Sequence, residues 1–509
     1  LRLKAEFLLG TRPTASQRKG PRAAGEETAF RAFLFALPSP NPSPMNEEHP
    51  APLPRIILLA GVAALGGFLF GYDSGVINGT VSALQKAFGT GEVASGFNVA
   101  SMLLGCAAGA FFAGRIADRF GRKAALFTAA VLFGVSSWGS GIASGSVEFV
   151  FYRLLGGFAV GAASVISPAY ISEIAPAAYR GRLTTLQQMA IVLGLFFAFL
   201  SNYLIAGAAG GSSAVWLWGF QAWQFMFWAE LIPVALFFLG LLFIPESPRF
   251  LVSADKADKA ERVLASVSHP EDARAKVAEI RKTLRAGHRP RMSDLLDREG
   301  RRIRPIVWVG LAIAALQQFV GINVVFYYGE VLWKAAGFSE GDALLINVIG
   351  GFINVSATVG AILLVDKWGR KPLLVSGAVT MAVFLGILAA VFGSATVGDD
   401  GNLILGEAAG VVALVAANLY LVGFGMSWGP VMWVLLGEMF PNQIRGAALS
   451  VAGLSQWLSN FVVTMTFPIL LGAIGLGGAY GIYTAFAVLA AFYAWKFVPE
   501  TKGKTLEQM

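Results

Sequence analysis

The sequence predicts an all-α membrane protein with twelve transmembrane helices, arranged as two pseudo-symmetric six-helix bundles with a short cytoplasmic helical segment between them. Three observations support this prediction: the composition, the number of long apolar stretches, and a repeat of charged motifs. Of the 509 residues, 56% are hydrophobic and only 14% are charged, whereas soluble domains have about 45–50% and about 25%. An ordinary soluble protein is therefore excluded.

Twelve apolar stretches are each long enough to cross a bilayer, which requires about 20 residues. They are 56–79, 95–114, 124–144, 149–171, 183–206, 223–244, 306–332, 343–365, 372–393, 410–436, 446–471 and 478–497. These stretches, called the first to twelfth spans below, predict an N-terminal bundle over 56–244 and a C-terminal bundle over 306–498. A cytoplasmic tail at 499–509 follows.

The segment 245–305 separates the two sets of six spans and is rich in charge. Ala257, Ala260, Val263 and Leu264 recur there at helical spacing among charged residues, which predicts short amphipathic helices. Basic residues collect in this segment and in alternate loops, so the positive-inside rule places it and both chain termini in the cytoplasm. The net charge of +8 is then an orientation signal, and nucleic acid is not expected as a partner.

Residues 1–55 precede the first span and are expected to form a disordered tail. The part before Met45, residues 1–44, is rich in Pro, Ser and Arg and carries half of the excess positive charge. Low hydrophobicity of this kind does not support a packed core. We therefore expect that 1–44 are disordered. Alternatively, the native protein starts at Met45, which is followed by a short polar stretch and then by the first span, and 1–44 do not belong to it.

Charged motifs recur in the same order in both sets of spans. The matched pairs are Asp118-Arg-Phe-Gly-Arg-Lys123 with Asp366-Lys-Trp-Gly-Arg-Lys371, Glu173 and Arg180-Gly181 with Glu438 and Arg445-Gly446, and Pro245-Glu-Ser-Pro-Arg249 with Pro499-Glu-Thr-Lys-Gly503. A duplicated six-helix unit explains this repeat. Transporters built from such repeats bind their cargo between the two units and rock one against the other.

Taken together, these motifs resemble the sugar porter family of the major facilitator superfamily, and the likeness covers about 56–506. The region from Met426 to Gly446 is particularly similar to bacterial proton-coupled xylose and hexose porters. The resemblance implies the major facilitator fold and proton-coupled symport of a monosaccharide, such as glucose, galactose or xylose, by alternating access. We expect a multi-pass plasma-membrane protein, in the bacterial inner membrane, that works as a monomer without a cofactor. Its partners are then the sugar, the proton and the lipid bilayer.

Charged side chains inside the spans require a partner or a function, because inserting an ionised group into hydrocarbon costs at least ~2.5–3.5 kcal/mol. Asp73 lies in the first span and Arg153 in the fourth. The resemblance implies that Asp73 is the protonation site and Arg153 its partner; a purely structural ion pair is the alternative. Glu230 in the sixth span either joins the proton path or forms bonds near the cytoplasmic face.

Amide and aromatic side chains inside the spans indicate the sugar site, because sugars present many hydroxyl groups and a flat apolar face. The resemblance implies sugar contacts at Phe70, Gln188, Gln317, Gln318, Asn323, Tyr327, Tyr328, Asn354, Gly429, Trp433, Gln456 and Trp457. Amides that only join neighbouring helices are the alternative. Leu195 stands where the xylose porter has a second glutamine, which weakens the expectation of a pentose.

The repeated charged motifs are expected to form ion-pair networks at the cytoplasmic helix ends. The residues concerned are Asp118, Arg122, Glu173 and Arg180 in the first set of spans and Asp366, Arg370, Glu438 and Arg445 in the second. In the family, such networks latch the outward-facing state and break as the carrier opens inward. Surface charge that only sets the topology is the alternative.

Other functions have less support in the sequence. A facilitative sugar uniporter is the nearest alternative, and a sugar-sensing receptor on the same fold is a weaker one. A membrane enzyme is not expected, since no nucleophile accompanies a base within the spans and no catalytic residue can be named. A metal site is not expected either, because His49, His269 and His288 lie in polar segments and Cys106 is the only cysteine. The sequence does not distinguish among the candidate sugars.

Overall fold

A computed structural model describes residues 53–175, 180–268, 270–286, 292–297, 302–398, 403–441 and 443–502. The predicted tail, 1–55, lies almost entirely outside these residues, as do His49, His269 and His288. The described chain is almost wholly helical, as the sequence predicts. We call the first six spans the N half and the last six the C half.

The helices of the N half follow the predicted spans closely. They are Leu53–Val76, continued by a 3₁₀ turn at Ile77–Gly79, then Val81–Phe88, Glu92–Phe120, Arg122–Ile142, Ser146–Ile174, Arg180–Ala209, Ala222–Ala229 and Leu231–Phe243. The last two together form the sixth span. The additional short helix Val81–Phe88 follows the first span.

The helices of the C half include two spans that are each built from two helices. The helices are Pro305–Phe319 and Ile322–Ala335, Glu340–Trp368, Arg370–Ser394, Glu407–Gly425 and Pro430–Met439, and Arg445–Phe497. A small antiparallel pair of strands, Thr396–Val397 and Leu403–Ile404, follows the ninth span.

The eleventh and twelfth spans form one helical run of 53 residues, Arg445–Phe497. A straight helix of that length would extend about 80 Å, far more than the roughly 30 Å of a bilayer core. Gly475 interrupts the run with φ 68° and ψ 178°, a conformation that only glycine adopts readily. Eleven described helical segments are therefore long and apolar enough to cross a membrane, and they account for the twelve predicted spans.

The packing of the spans is the same in both halves. The first span packs on the fifth and the second on the fourth, while in the C half the seventh packs on the eleventh and the eighth on the tenth. Glycines permit the closest approaches: a Cβ on Gly71 would lie 1.9 Å from the Ile191 carbonyl oxygen, and one on Gly194 would lie 2.0 Å from that of Phe68. The corresponding pairs establish the pseudo-symmetry that the repeated motifs predicted.

Short helices form the linker between the halves. Pro248–Ser253, Ala257–Ala265 and Pro270–Ala286 are followed by a 3₁₀ turn at Met292–Leu295. The three α-helices share a small core of their own. The predicted amphipathic helices are thus present, and their apolar faces pack on one another.

Candidate functional site

A buried ion pair joins the first and fourth spans. Asp73 and Arg153 are each only 1% exposed, and Arg153 Nη1 donates to Asp73 Oδ1. Arg153 Nη2 also lies 3.3 Å from the Asp73 carbonyl oxygen, and the guanidinium lies 5.8 Å from the centre of the Phe227 ring. Removing one member of such a pair leaves an uncompensated buried charge and costs about 3–5 kcal/mol.

Glu230 lies where the sixth span is divided into two helices. It is 1% exposed and accepts a hydrogen bond of 2.9 Å from the Ser137 hydroxyl in the third span. The structure therefore places Glu230 in the interior of the N half, in the same bundle as Asp73 and Arg153. Glu230 is far from the end of the sixth span that leads into the linker, because that span ends at Phe243.

A chain of amides connects three spans of the C half. Gln317 Nε2 donates to the Trp428 carbonyl oxygen at 2.7 Å, and Gln317 Oε1 accepts from Gln318 Nε2 at 3.0 Å and from Gln456 Nε2 at 3.4 Å. Asn323 Nδ2 donates in turn to Gln318 Oε1. Four of the predicted sugar-binding residues are thus brought together.

Helix breaks open the backbone beside this amide chain. The seventh span is interrupted at Val320 and Gly321, where Gly321 has φ 82°. The tenth is interrupted between Gly425 and Pro430, with Gly429 just before the second helix. Discontinuous helices of this kind are typical of transporter binding sites.

The two neighbouring tyrosines of the seventh span have different surroundings. Tyr328 is fully buried, and its hydroxyl donates to the Thr464 carbonyl oxygen at 2.9 Å. Tyr327 accepts a longer bond of 3.4 Å from Asn460 Nδ2. The Tyr328 hydroxyl is therefore engaged by the backbone of the eleventh span, whereas that of Tyr327 binds another side chain.

Aromatic and amide side chains from several spans complete the predicted set. The Phe70 and Trp457 rings lie 5.6 Å apart between the halves. Trp433 is partly exposed and Gln188 is half-buried, while Asn354 is buried beside Gly425. Leu195 is buried with its Cδ1 against Gly75, so its side chain packs against the first span.

The halves are joined by hydrogen bonds at the end of the spans remote from the linker. Asn78 Nδ2 donates to the Phe326 carbonyl oxygen at 3.0 Å, and Asn347 Nδ2 donates to Asn78 Oδ1 at 2.8 Å. The Ser82 hydroxyl donates to the buried Glu330 at 2.8 Å. These bonds close the molecule on that side.

Sequence reasoning missed Asn78 and Glu330. Each forms a hydrogen bond with a residue 248 positions away in the chain. The lysine that follows Glu330 by one helical turn, Lys334, forms a salt bridge of 3.0 Å with it. A Glu followed four residues later by Lys is the only local signal that could have pointed to this group.

A charged cluster in the N half surrounds Arg122 at the linker side. Arg122 forms ion pairs of 3.0 Å with Asp118 and 3.1 Å with Glu173. Glu246 accepts from the backbone N–H of Arg122 at 2.9 Å, and the Ser247 hydroxyl donates to Glu173. The side chain of Arg180 lies outside the described residues.

An equivalent cluster in the C half surrounds Arg370. Arg370 pairs with Asp366 at 3.0 Å and Glu438 at 2.8 Å. Glu500 accepts from the backbone N–H of Arg370 at 3.1 Å, and the Thr501 hydroxyl donates to Glu438 at 2.5 Å. Each predicted network thus includes a glutamate and a hydroxyl residue from the end of its half. The sequence did not reveal that Glu246 and Ser247, or Glu500 and Thr501, take part.

Arg445 differs from the other predicted network residues, because its guanidinium donates to the Phe440 carbonyl oxygen at 3.2 and 3.1 Å. It therefore stabilises the backbone turn between the tenth and eleventh spans. The described contacts of each cluster lie within its own half.

Glycine is required where each cluster meets the start of the third or ninth span. Gly121 has φ 98° and Gly369 has φ 94°. A Cβ at Gly121 would lie 2.3 Å from Glu246 Oε2, and one at Gly369 would lie 2.7 Å from Glu500 Oε2. The carboxylates occupy the space that a side chain would need.

Comparisons with known proteins agree with this architecture. A family model described as "Sugar (and other) transporter" matches residues 59–509. The glucose transport protein of Synechocystis sp. is 55% identical over 92% of this chain and 100% of its own length. The D-xylose-proton symporter of Escherichia coli is 42% identical over 88% of this chain and 94% of its own length.

Solved structures of the xylose transporter XylE from Escherichia coli are similar to this one. The inward-open conformation has a TM-score of 0.76 at 40% identity, covering 89% of this chain and 98% of that chain. The partially occluded inward-open conformation has a TM-score of 0.75 at 39% identity, covering 87% and 100%.

Proposed function

Since this chain belongs to the sugar transporter family, we propose that it is a symporter that moves a monosaccharide and a proton together across the membrane by alternating access. The observation that carries the proposal is the buried pair of Asp73 and Arg153 in the N half, in a molecule whose C half contains the amide chain. The Asp73 carboxyl group can bind a proton, and the amide chain can bind the hydroxyl groups of a sugar.

The amide chain can recognise a sugar by exchanging its internal hydrogen bonds for bonds to the cargo. Gln317, Gln318, Asn323 and Gln456 bond to one another, so each amide is held near its binding position. A sugar hydroxyl both donates and accepts, as an amide does. The Phe70 and Trp457 rings offer the apolar surface on which a sugar face packs.

Asp73 can couple the proton gradient to this exchange. Ionised Asp73 is held by Arg153, and separating the two charges in the interior is costly. Protonation removes the charge of Asp73, so the pair can separate while the halves move. A charge crossing a potential of ~150 mV supplies about 3.5 kcal/mol, enough for a few-hundred-fold sugar gradient at one proton per sugar.

We propose the topology that the positive-inside rule indicates, with both termini and the linker in the cytoplasm. The bonds at Asn78, Ser82 and Glu330 then close the extracellular side, and the structure is an inward-facing state. Its similarity to the inward-open xylose transporter supports this assignment. The ion pairs of Arg122 and Arg370 are formed in this state, so the expected breaking of the charged networks on inward opening is not seen within either half. The bacterial origin of the protein's relatives supports the inner membrane as its location. We propose that the protein works there as a monomer surrounded by lipid.

A hexose is the favoured cargo class. The glucose transport protein of Synechocystis sp. shares 55% of its residues with this chain and the xylose symporter shares 42%. In addition, Leu195, at a position where the family resemblance implies a glutamine in a xylose porter, places an apolar side chain against Gly75. Competition of labelled glucose uptake by unlabelled galactose and xylose would rank the sugars.

The test is uptake of labelled glucose into proteoliposomes with and without an imposed inward proton gradient. Accumulation above the external concentration, abolished by a proton ionophore, is expected. Equilibration to the external concentration under both conditions would overturn symport and favour a facilitative uniporter.

A further inference from the structure

The connection between the fifth and sixth spans, residues 210–221, is apolar and uncharged although it lies outside the spans. No charged residue occurs anywhere between Arg182 and Glu230. Trp218, in the middle of the connection, is 84% exposed, and three further large apolar side chains near it are exposed as well, those of Val215, Leu217 and Phe220. Exposed apolar residues that are grouped in this way mark an interaction surface.

The connection folds as a hairpin with a tight turn at Trp218 and Gly219. The Trp216 N–H donates to the Phe220 carbonyl oxygen at 2.8 Å, and the Phe220 N–H donates to the Leu217 carbonyl oxygen at 3.0 Å. Trp218 has φ 52° and Gly219 has φ 83°, and the common two-residue hairpin turn requires positive φ at both positions.

Tryptophan is an unfavourable choice for the first position of this turn. Asparagine, aspartate or glycine is usual there, and a bulky side chain at positive φ is strained. Strain of this kind persists where the side chain has a function. The turn thus holds the Trp218 ring at the tip of the hairpin at a cost in backbone energy, which indicates that the exposed ring contacts something outside the chain.

Aromatic rings connect the hairpin tip to the third and sixth spans. The centre of the Trp218 ring lies 6.1 Å from that of Phe225, which lies 5.1 Å from that of Trp228. Trp228 stacks in turn on Trp138 of the third span, with the ring centres 5.2 Å apart. The rings form one continuous strip from the hairpin to two membrane-spanning helices.

The aromatic strip continues into the lipid-facing surface of these two helices. Exposed apolar side chains follow Trp228 and precede Trp138 at helical spacing, at Ile232, Leu236 and Leu239 in the sixth span and at Val135 and Val131 in the third. Residues three or four positions apart share one face of a helix. A face of this kind on a membrane-spanning helix contacts lipid, so the hairpin lies at the edge of the lipid-covered surface.

We propose that the hairpin 210–221 lies in the headgroup zone of the leaflet remote from the linker, with Trp218 as its anchor in the lipid. Tryptophan is enriched at this level of a membrane, because its ring is apolar and its N–H can bond to polar lipid groups. Since the hairpin has no charged residue, its contact with lipid depends on aromatic rings and is independent of anionic headgroups. This contact requires only that the fifth and sixth spans cross the membrane, whether or not transport is coupled to protons.

The base of the hairpin also contacts the C half. The buried Ser212 donates its backbone N–H to Glu340 Oε1 at the start of the eighth span, at 2.6 Å, and its carbonyl oxygen accepts from the Trp223 N–H at 2.9 Å. A hairpin whose depth is set by lipid therefore also positions a hydrogen bond between the halves.

The test measures the depth of the hairpin in lipid nanodiscs with a nitroxide spin label. Leu217→Cys places the label beside Trp218. Val397→Cys places it on the strand Thr396–Val397, at an exposed apolar position that the acidic residues Asp399 and Asp400 follow in the sequence. The native Cys106 is buried and remains in place. Power saturation compares collisions with oxygen, which is concentrated in hydrocarbon, and with a water-soluble nickel chelate.

The ratio of oxygen to nickel collisions should be higher at Leu217 than at Val397, and to the same extent in phosphatidylcholine with or without phosphatidylglycerol. Trp218→Asn should lower the ratio at Leu217 toward that at Val397, because the ring is lost. Asparagine suits positive φ, so this variant should unfold in detergent at or above the wild-type temperature. Trp495→Asn, which removes an exposed tryptophan near the linker-side end of the twelfth span, should leave the ratio at Leu217 unchanged.

Several results would overturn the anchor. Equal ratios at Leu217 and Val397 in the wild type would place the hairpin in water, and a ratio at Leu217 that Trp218→Asn does not change would remove the role of Trp218. A lower unfolding temperature of Trp218→Asn would indicate that the ring stabilises the fold instead. A short distance between labels on two copies of Leu217→Cys would assign the surface to a second copy of the chain, and a ratio that depends on phosphatidylglycerol would contradict contact through aromatic rings.

Discussion

Gln317 forms three side-chain hydrogen bonds, more than any other residue of the amide chain. It donates to the backbone of the tenth span and accepts from Gln318 and Gln456. A side chain with this many polar neighbours holds the others in position as well as offering its own groups. Loss of Gln317 should therefore affect the site more than loss of an amide at its edge.

Gln317→Ala should weaken glucose binding about tenfold, or about 1.4 kcal/mol, because it removes a donor and leaves neighbouring amides without a partner. Equilibrium binding to purified protein would measure the change. Asn418→Ala is a matched control, since this amide bonds to its own helix at the Leu414 carbonyl oxygen. Unchanged affinity in Gln317→Ala would show that the amides serve helix packing instead.

The sequence identifies isolated residues of this site better than it identifies their contacts. Asp73 and Arg153 stand out because charge is rare in an apolar span. Adjacent glutamines do not stand out in this way, since the sequence does not determine which of the two faces the interior. Gln187 is 6% exposed and lies against Gly67, whereas the predicted Gln188 is half-buried.

Helix starts at the linker side are stabilised by carboxylates from the end of each half. Partial burial alone would raise the pKa of Glu500, but the backbone N–H donors of Lys502, Arg370 and Lys371 outweigh burial and lower this pKa. A carboxyl whose pKa is lower in the folded state stabilises the fold above its unfolded pKa. That contribution is lost as the pH falls through the folded value.

Glu500→Gln should therefore lower the thermal unfolding temperature at neutral pH and reduce its decline in acid. Unfolding of detergent-solubilised protein between pH 7 and about pH 3, which extends below the ordinary pKa of a glutamate, would measure this difference. Glu407→Gln, an exposed residue in the first turn of the tenth span, serves as control. Identical pH profiles for Glu500→Gln and the wild type would contradict the role given to this carboxylate.

The spans were predictable as elements, but their interruptions were less so. The length of an apolar stretch predicts a helix that crosses the membrane. This criterion predicted continuous spans over 306–332 and 410–436, both of which are interrupted in the structure. The break before Pro430 has a local signal in Gly429-Pro430. The break at Gly475 falls in the predicted interval between the spans 446–471 and 478–497. The break at Gly321 depends on a single glycine among apolar residues, and glycine is also common within transmembrane helices.

The hydrogen bonds between the halves at the proposed extracellular end hold one state of the carrier. Asn78 connects the first span to the seventh and eighth, so the two halves cannot separate there while its bonds remain. A sequence does not show which state is held, because alternating access requires that both states be close in free energy.

Asn78→Ala should shift the population toward the outward-facing state, because three hydrogen bonds between the halves are lost. Spin labels on cysteines placed at the exposed positions Lys86 and Glu407 should report longer distances in this variant. Asn418→Ala again provides the control. An unchanged distance distribution would show that these bonds do not hold the closed end.

The pseudo-symmetric fold was predictable because the motifs repeat in order. The domain limits 56–244 and 306–498 remain predictions, as do the roles of individual site residues. Contacts between halves could not be predicted, since neither apolar periodicity nor charge distribution indicates which polar residues meet across 248 positions.

The most direct test of proton coupling is Asp73→Asn, measured in one proteoliposome preparation for both gradient-driven accumulation and equilibrium exchange of labelled glucose. Asparagine keeps the size of the side chain and removes its charge and its proton. This variant should retain exchange and should no longer accumulate sugar under an inward proton gradient, whereas the wild type should do both. Accumulation by Asp73→Asn at the wild-type level would contradict the role of Asp73 in coupling.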